Sequence, residues 1–316
     1  MIRITLLGTV SGIPSTDRNH PAVCIEYFST SYHCLLFDCG ENTQVQLMKS
    51  GISFMSIDKI FITHWHADHF AGLIPLIQTM NLEGREKDLF IFAPEAEKFV
   101  RKILELSYYK PRFGVIPINV DFEEKEVKKI LEEKEFEIYS IPVDHTIPAV
   151  AYCFKEKDRI NIDESKLKKL KLEKGRWLRK IKKIGYYKID GKEIKLEDIA
   201  KINKGIKIVY TGDTRPCEQV VEISKDSDIL IHDATFFEED EADGIAHADF
   251  FQAIEIAKKS NSKFLILTHL SRRYRNLDEL EEKAREVFPN CKVARDLMKI
   301  VIKKNEIEIN GEKFVL

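Results

Sequence analysis

Short apolar runs rich in β-branched residues recur through the first part of the chain: Ile2 to Leu7, Ala22 to Phe28, Cys34 to Phe37 and Lys59 to Ile62. Each is too short for a stable helix and suits a pleated, half-buried surface, so each predicts a strand. Helical spacing follows some of them. Glu41 to Lys49, closed by Gly51, reads as a helix, and so does Asp68 to Met80, which carries Gly72 and Pro75 early in its length. A further strand runs from Ile138 to Val143. The later part repeats this grammar: Ile206 to Tyr210, Asp228 to Ile231 and Phe264 to Leu267 read as strands, interleaved with helices over Ala248 to Lys259 and Leu277 to Phe288. Alternation of this kind covers sheets with helices, and the predicted fold is a mixed α+β or α/β chain arranged as a four-layer αββα sandwich. The stretch from Lys155 to Lys204 departs from the pattern, being poor in apolar periods, rich in lysine and broken by Gly175, Gly185 and Gly191. The expected organisation is one domain over 1–316 with a projecting arm inserted at about 155–205.

Composition narrows the class. With 316 residues, 44% hydrophobic and 32% charged, the chain can bury a full core. No stretch approaches the roughly 18 uninterrupted apolar residues of a membrane span, and Met1 to Pro14 reads as strand and loop rather than leader, which points to the cytoplasm. The six cysteines lack Cys-x-x-Cys spacing and are expected to be reduced and mostly buried. Net charge is only −2, yet eleven Lys/Arg face the single acid Glu173 between Lys166 and Lys188, a local +10.

The candidate chemistry is concentrated in Thr63-His64-Trp65-His66-Ala67-Asp68-His69, directly after a predicted strand. In extended chain, residues two apart point the same way, so His64 and His66 can share one metal while Asp68 and His69, at the start of the next helix, address a second. Further ligands are sought just beyond other apolar strands, where strand ends deliver side chains to a common edge. His145, Asp213 within Thr211-Gly212-Asp213-Thr214, and His269 qualify. Asp213 is the natural bridge, one oxygen to each of two cations about 3.5–4 Å apart. A donor set of imidazole and carboxylate without thiolate favours Zn²⁺ or Mn²⁺. His20 and His33 are read as structural.

These segments together resemble ribonuclease Z, the tRNA 3′-processing endonucleases of the metallo-β-lactamase fold superfamily. The resemblance runs over nearly the whole chain. It is carried by Leu7-Gly8-Thr9, Gly12-Ile13-Pro14, Arg18-Asn19, Phe37-Asp38-Cys39-Gly40-Glu41, Thr43-Gln44, the histidine motif running on to Gly72-Leu73, Asp144-His145 and Thr211-Gly212-Asp213-Thr214-Arg215. His232 with Ala234-Thr235-Phe236, and Thr268-His269 with Ser271, Arg273 and Tyr274, complete it. The histidine motif marks the superfamily, and the flanking segments narrow it to ribonuclease Z. The resemblance implies two zinc ions, one on His64, His66 and His145 and the other on Asp68, His69 and His269, with Asp213 bridging. It also implies hydrolysis that removes the 3′ trailer from precursor tRNA, leaving a 3′-hydroxyl on the tRNA, with Asp68 both ligating and taking a proton from the attacking water.

His247, opening the helix Ala248 to Lys259, resembles the family's catalytic histidine, although His247-Ala248-Asp249 replaces the usual His-Ser-Thr. Asp249 and Asp233 are candidates to orient it. Arg273 matches the family motif as a phosphate contact. The +10 segment resembles the family's tRNA-binding arm, with Lys168, Lys169, Lys171, Arg176, Arg179, Lys182 and Lys183 against phosphates and Trp177, Tyr186 or Tyr187 as stacking surfaces, though without the usual Gly-Pro stretch. A homodimer, the arm of one subunit serving the metals of the other, is the assembly the resemblance implies. Two other functions remain open on the residues alone: a small-molecule hydrolase of the same fold acting on a phosphodiester or thioester, and a non-catalytic RNA-binding protein.

Overall fold

In a computed structural model the described residues are 1–315 except 107, 109, 190, 238–245 and 304–305. Contacts group the chain into two compact units, residues 1–154 with 207–316 and residues 155–206.

The larger unit is built on two sheets. The first is formed by β1 (Ile2–Gly8), β2 (Ala22–Phe28), β3 (Tyr32–Phe37), β4 (Ile57–Phe61), β5 (Leu89–Ala93) and β6 (Val115–Asn119), in sequence order. The second carries β7 (Lys128–Glu132), β8 (Phe136–Pro142) and β9 (Val150–Glu156). Among its described residues the smaller unit holds two separate antiparallel strand pairs, β10 (Arg159–Ile162) with β13 (Ala200–Asn203), and β11 (Tyr186–Ile189) with β12 (Lys192–Lys195). The chain then returns to the second sheet through β14 (Lys207–Tyr210), β15 (Ile229–Asp233), β16 (Leu265–Thr268) and β17 (Cys291–Val293), which pair in parallel. It ends on the first sheet, where β18 (Met298–Lys303), β19 (Glu306–Ile309) and β20 (Glu312–Val315) add to the free side of β1.

Alternation along the strands assigns each side chain to a layer. Cys24, Cys34, Leu36, Ile60 and Ile91 turn outward onto α1 (Thr43–Ser50), α3 (Leu73–Leu82) and α4 (Ala96–Glu105). Their neighbours Tyr27, Phe37, Phe61 and Phe92 form an aromatic layer with Phe136, Tyr152 and Phe154 of the second sheet, ring centroids 4.8–6.0 Å apart. The Tyr152 hydroxyl donates to the Ile62 carbonyl at 2.8 Å, so even this dry layer is satisfied in its polar group. On its other face the second sheet is covered by α8 (Glu218–Ser224), α9 (Phe250–Lys259) and α10 (Leu277–Val287), through Val220, Ile223, Phe250, Ile254, Ala257, Leu280 and Ala284. Helices thus flank two face-to-face sheets, the αββα order predicted from the pattern.

Element ends shift by a residue or two, as where the helix predicted from Glu41 begins at Thr43, and two of the changes bear on the site. The helix expected from Asp68 to Met80 is two, α2 (Ala67–Phe70) and α3. Between them the Gly72 N–H bonds to the Cys39 carbonyl at 2.9 Å, and a Cβ on Gly72 would lie 2.1 Å from the Gly40 carbonyl oxygen. The close backbone approach ends the first helix, and Pro75 sits in the opening turn of the second, where a missing N–H costs nothing. The helix expected from Ala248 begins at Phe250, because Asp249 is its N-cap and exchanges hydrogen bonds with Gln252 in a capping box.

Residues 155–206 hold three short helices, α5 (Glu164–Lys169), α6 (Trp177–Ile184) and α7 (Leu196–Ile199), around a small core of Leu167, Ile181 and Ile199. Asp163 caps α5, and Gly185, at φ 90°, ends α6.

Candidate metal centre

The parallel strands deliver their C-terminal ends to one edge, and the candidate residues stand there. His64, His66 and Asp68 follow β4, His145 follows β8, Asp213 follows β14, Asp233 ends β15 and His269 follows β16. Asp38 after β3 and His269 adopt left-handed backbone, φ 56° and 60°. Such strain in non-glycine residues is retained where it aims a side chain. Gly212 lies against Thr63: a Cβ there would come within 2.7 Å of the threonine side chain, so the turn carrying Asp213 needs glycine.

All seven candidate ligands converge. His64, His66, His145 and Asp213 form one group whose donor atoms lie within 4.8 Å of one another, and Asp68, His69, Asp213 and His269 form a second to the same limit. In the first, His64 Nε2 and His145 Nε2 approach His66 Nδ1 at 3.0 and 3.1 Å. In the second, His69 Nε2 and His269 Nε2 are 3.4 Å apart and stand 3.1 and 3.3 Å from Asp213 Oδ1. Asp213 Oδ2 faces the other way, 3.7 Å from His64 Nε2. Its two oxygens therefore address the two groups separately.

This donor set fits metal ions. Nitrogen lone pairs crowded to these distances match the edge of about 3.3 Å of a tetrahedron with 2.0–2.1 Å arms. Asp213 Oδ1 is buried with no hydrogen-bond partner among the described residues, although two ring nitrogens stand close to it. Buried polar atoms are rarely left so, and a cation satisfies this one.

The outward nitrogens are committed. His69 Nδ1 lies 2.7 Å from Asp38 Oδ2, His145 Nδ1 2.9 Å from the Ala246 carbonyl, His64 Nδ1 3.1 Å from Thr63 Oγ1 and His269 Nδ1 2.9 Å from Thr235 Oγ1. Donation through Nδ1 fixes the tautomer that turns the Nε2 lone pair inward. His66 is the exception, facing the group through Nδ1. Burial holds the imidazoles of His64, His66 and His145 below the usual histidine range, which keeps them neutral and able to ligate.

His247 stacks on His269, centroids 5.2 Å apart, and donates from Nδ1 to Asp233 Oδ2 at 2.9 Å. Asp233 is thus the orienting carboxylate, and Asp249 is occupied as a helix cap. Since α9 starts at Phe250, His247 precedes the helix rather than opening it. Burial pulls its basicity down, but Asp233 and Asp213 outweigh that and raise its pKa.

Arg273 lies exposed beside the centre, its guanidinium 5.5 Å from the Phe236 ring centroid, and Phe236 in turn meets the His247 ring edge-on. Lys169, Arg176, Arg179, Lys182 and Lys183 are all exposed within residues 155–206, as are Lys168 and Lys171. Trp177 and Tyr187 stack on each other at 6.0 Å, and Tyr186 is exposed. Sequence reasoning gave no role to Asp38, Thr63 or Thr235, which hold candidate ligands, or to Tyr210, which holds Asp38. For the first three the one signal was position: polar residues at apolar strand ends inside the segments carrying the resemblance.

Two sheets faced by helices, with histidines and aspartates gathered at one edge, define a metallo-β-lactamase-fold protein with a site for divalent metal. A metallo-β-lactamase fold protein of Bacillus subtilis superimposes with a TM-score of 0.66, covering 94% of this chain and 98% of that one at 19% identity. The short form of human tRNase Z gives a TM-score of 0.68 at 26% identity, covering 95% of this chain and 99% of the human one. Residues 2–288 match the family model described as Anti-Pycsar protein Apyc1. Ribonuclease Z of Pyrococcus horikoshii is 38% identical over 305 residues, 96% of each chain. The chain belongs to the ribonuclease Z family.

Proposed function

We propose that this chain is a metal-dependent endoribonuclease that cuts precursor tRNA 3′ of the tRNA body and releases the trailer. The observation that carries the reading is the pair of donor groups joined through Asp213. Two zinc ions, with manganese as the alternative, would be held by His64, His66 and His145 and by Asp68, His69 and His269, Asp213 being shared. When bound, such ions lower the pKa of water and offset negative charge on the phosphate oxygens. Asp68 accepts the Gly12 N–H at 3.0 Å; burial opposes its charge, yet His269 and His69 hold its carboxyl well below the usual range. Ionised and oriented, it takes the proton of the attacking water. With Nδ1 committed to Asp233, His247 carries its transferable proton on Nε2 and gives it to the leaving 3′-oxygen. The P–O3′ bond breaks, giving a 3′-hydroxyl on the tRNA and a 5′-phosphate on the trailer.

The exposed cations of residues 155–206 bind phosphates of the tRNA body, and Arg273, beside the metal centre, is a further phosphate contact. No helix among the described residues is long and apolar enough to cross a membrane. A cytoplasmic location is supported by six free cysteines, and fractionation tests it. A homodimer is the assembly we favour, and a sedimentation mass of one chain would refute it.

A small-molecule hydrolase is the second reading, since the same centre suits other substrates. The +10 segment favours RNA. Zinc-loaded protein given a 3′-extended precursor tRNA, a model phosphodiester and a thioester decides between them. Cutting at the tRNA–trailer junction supports the nuclease; turnover of the small substrates alone overturns it.

A further inference from the structure

Two charged residues with no part in the chemistry described above stand beside the first donor group. Asp144 immediately precedes His145, and Arg215 follows Asp213 by two positions. The Arg215 N–H donates to the Asp144 carbonyl at 2.8 Å, and the guanidinium donates from Nη1 to Asp144 Oδ1 at 3.2 Å. Both side chains reach solvent, 36% of Arg215 and 54% of Asp144 being exposed. An ion pair this open to water contributes little to stability. The backbone bond already joins the two ligand-bearing loops, so the charge on Arg215 is not needed to close them.

The guanidinium is free to take a better partner. Among the described residues its one bonded side chain is Asp144, held through a single N–H. A phosphate accepts two parallel N–H bonds from the planar fork and binds it more strongly than a hydrated aspartate does. Location says which phosphate. His145 Nδ1 bonds the carbonyl of Ala246, the neighbour of His247, and the rings of His145 and His247 lie 5.6 Å apart. His247 is therefore linked to two arginines, to Arg273 through Phe236 and to Arg215 through the loop carrying His145.

We propose that Arg215 is a substrate contact that exchanges Asp144 for the phosphate one nucleotide upstream of the scissile bond, on the tRNA side of the cut. The inference rests on the endonuclease reading above. The leaving 3′-oxygen takes its proton from His247, so the ribose that bears it lies on this flank. The 5′-oxygen of the same ribose carries the next phosphate of the tRNA strand, and Arg215 presents a solvent-accessible guanidinium there. Asp144 is a placeholder. It holds the fork in place before substrate arrives, then competes with the phosphate for it, so the two partners of one ion pair affect substrate binding in opposite senses.

Steady-state cleavage of precursor tRNA by zinc-loaded protein tests the opposite signs. Arg215→Gln should lower kcat/KM about tenfold, mainly through a raised KM, because a contact made before and during the reaction holds ground and transition states alike. Asp144→Asn should instead lower KM about two- to fivefold, the range that an exposed ion pair can withhold. A precursor carrying an uncharged methylphosphonate at the upstream phosphate identifies the contact. The unaltered protein should cut it about tenfold less efficiently than the intact precursor, and the Arg215→Gln protein should cut the two nearly equally. The same replacement one phosphate further upstream should cost both proteins alike. A pair that merely latches the ligand loops would give losses of the same sign in both variants, with zinc binding weakened in competition with a chelator, and that result overturns the proposal. So does a methylphosphonate penalty that survives Arg215→Gln undiminished. Either result leaves the endonuclease reading standing, whereas no cutting of any precursor overturns both.

Discussion

One carboxylate, Asp38, organises much of the centre. It lies 2.7 Å from His69 Nδ1 and accepts the Thr63 N–H at 2.7 Å and the Tyr210 hydroxyl at 2.8 Å, so it ties the histidine loop of the first sheet to β14 of the second. Outer-shell carboxylates of this kind fix ring orientation and raise ligand basicity. Asp38→Asn should weaken zinc binding about 10–100-fold in competition with a chromogenic chelator, and unchanged affinity would refute this role. His247 makes a different prediction, because its hydrogen bond is to Asp233 at 2.9 Å, while Asp213 Oδ2 stands farther from its Nδ1 at 3.8 Å. His247→Ala should keep its full metal content while cleavage falls about 10²–10⁴-fold, the usual worth of a positioned acid. An unchanged rate would show that the proton comes from elsewhere.

At the scale of elements, the break between α2 and α3 aims the site. A continuous helix would carry Asp68 and His69 on a fixed 3.6-residue spiral; ending it after one turn frees α3 to pack Leu73, Leu76, Ile77 and Met80 against the sheet while α2 serves the ligands. Gly72→Ala should destabilise the protein by about 1–3 kcal/mol, read as a lowered denaturation midpoint, since the added carbon collides with backbone. In residues 155–206 a deletion from Lys166 to Lys188 would also remove Leu167 and Ile181 from the small core, so substitution tests the charges more cleanly. Changing Lys169, Arg176, Arg179, Lys182 and Lys183 to Gln should weaken precursor tRNA binding. It should also flatten the salt dependence of binding by roughly one unit of slope for each phosphate no longer neutralised. Hydrolysis of a small phosphodiester should not follow; equal loss on both substrates would falsify the RNA-binding role.

Over the whole molecule, the candidate ligands come from both sheets: His64, His66, Asp68 and His69 from the first, His145, Asp213 and His269 from the second. Bound metal therefore cross-links layers that are otherwise held by the aromatic seam and a few hydrogen bonds such as Val150 N–H to the Thr63 carbonyl. A ligand present at one hundred times its dissociation constant stabilises the native state by about 2.7 kcal/mol per site. Chelation should lower the melting temperature, and zinc should restore it; a midpoint indifferent to chelator would argue that the groups hold no metal.

The sequence alone determined the layering, because alternation in strands and 3.6-residue spacing in helices are local properties of the chain. It also singled out the candidate ligand types, because imidazole and carboxylate crowded behind one strand have few other uses. Tertiary structure decided the rest. Sequence spacing does not show that Asp213 turns one oxygen to each group, or that Asp233 rather than Asp249 holds His247: those depend on where parallel strands end and on which carboxylate a helix cap has already engaged. The split at Gly72 was hidden for the same reason, since the backbone that forbids a Cβ belongs to Gly40, thirty-two positions earlier in the chain.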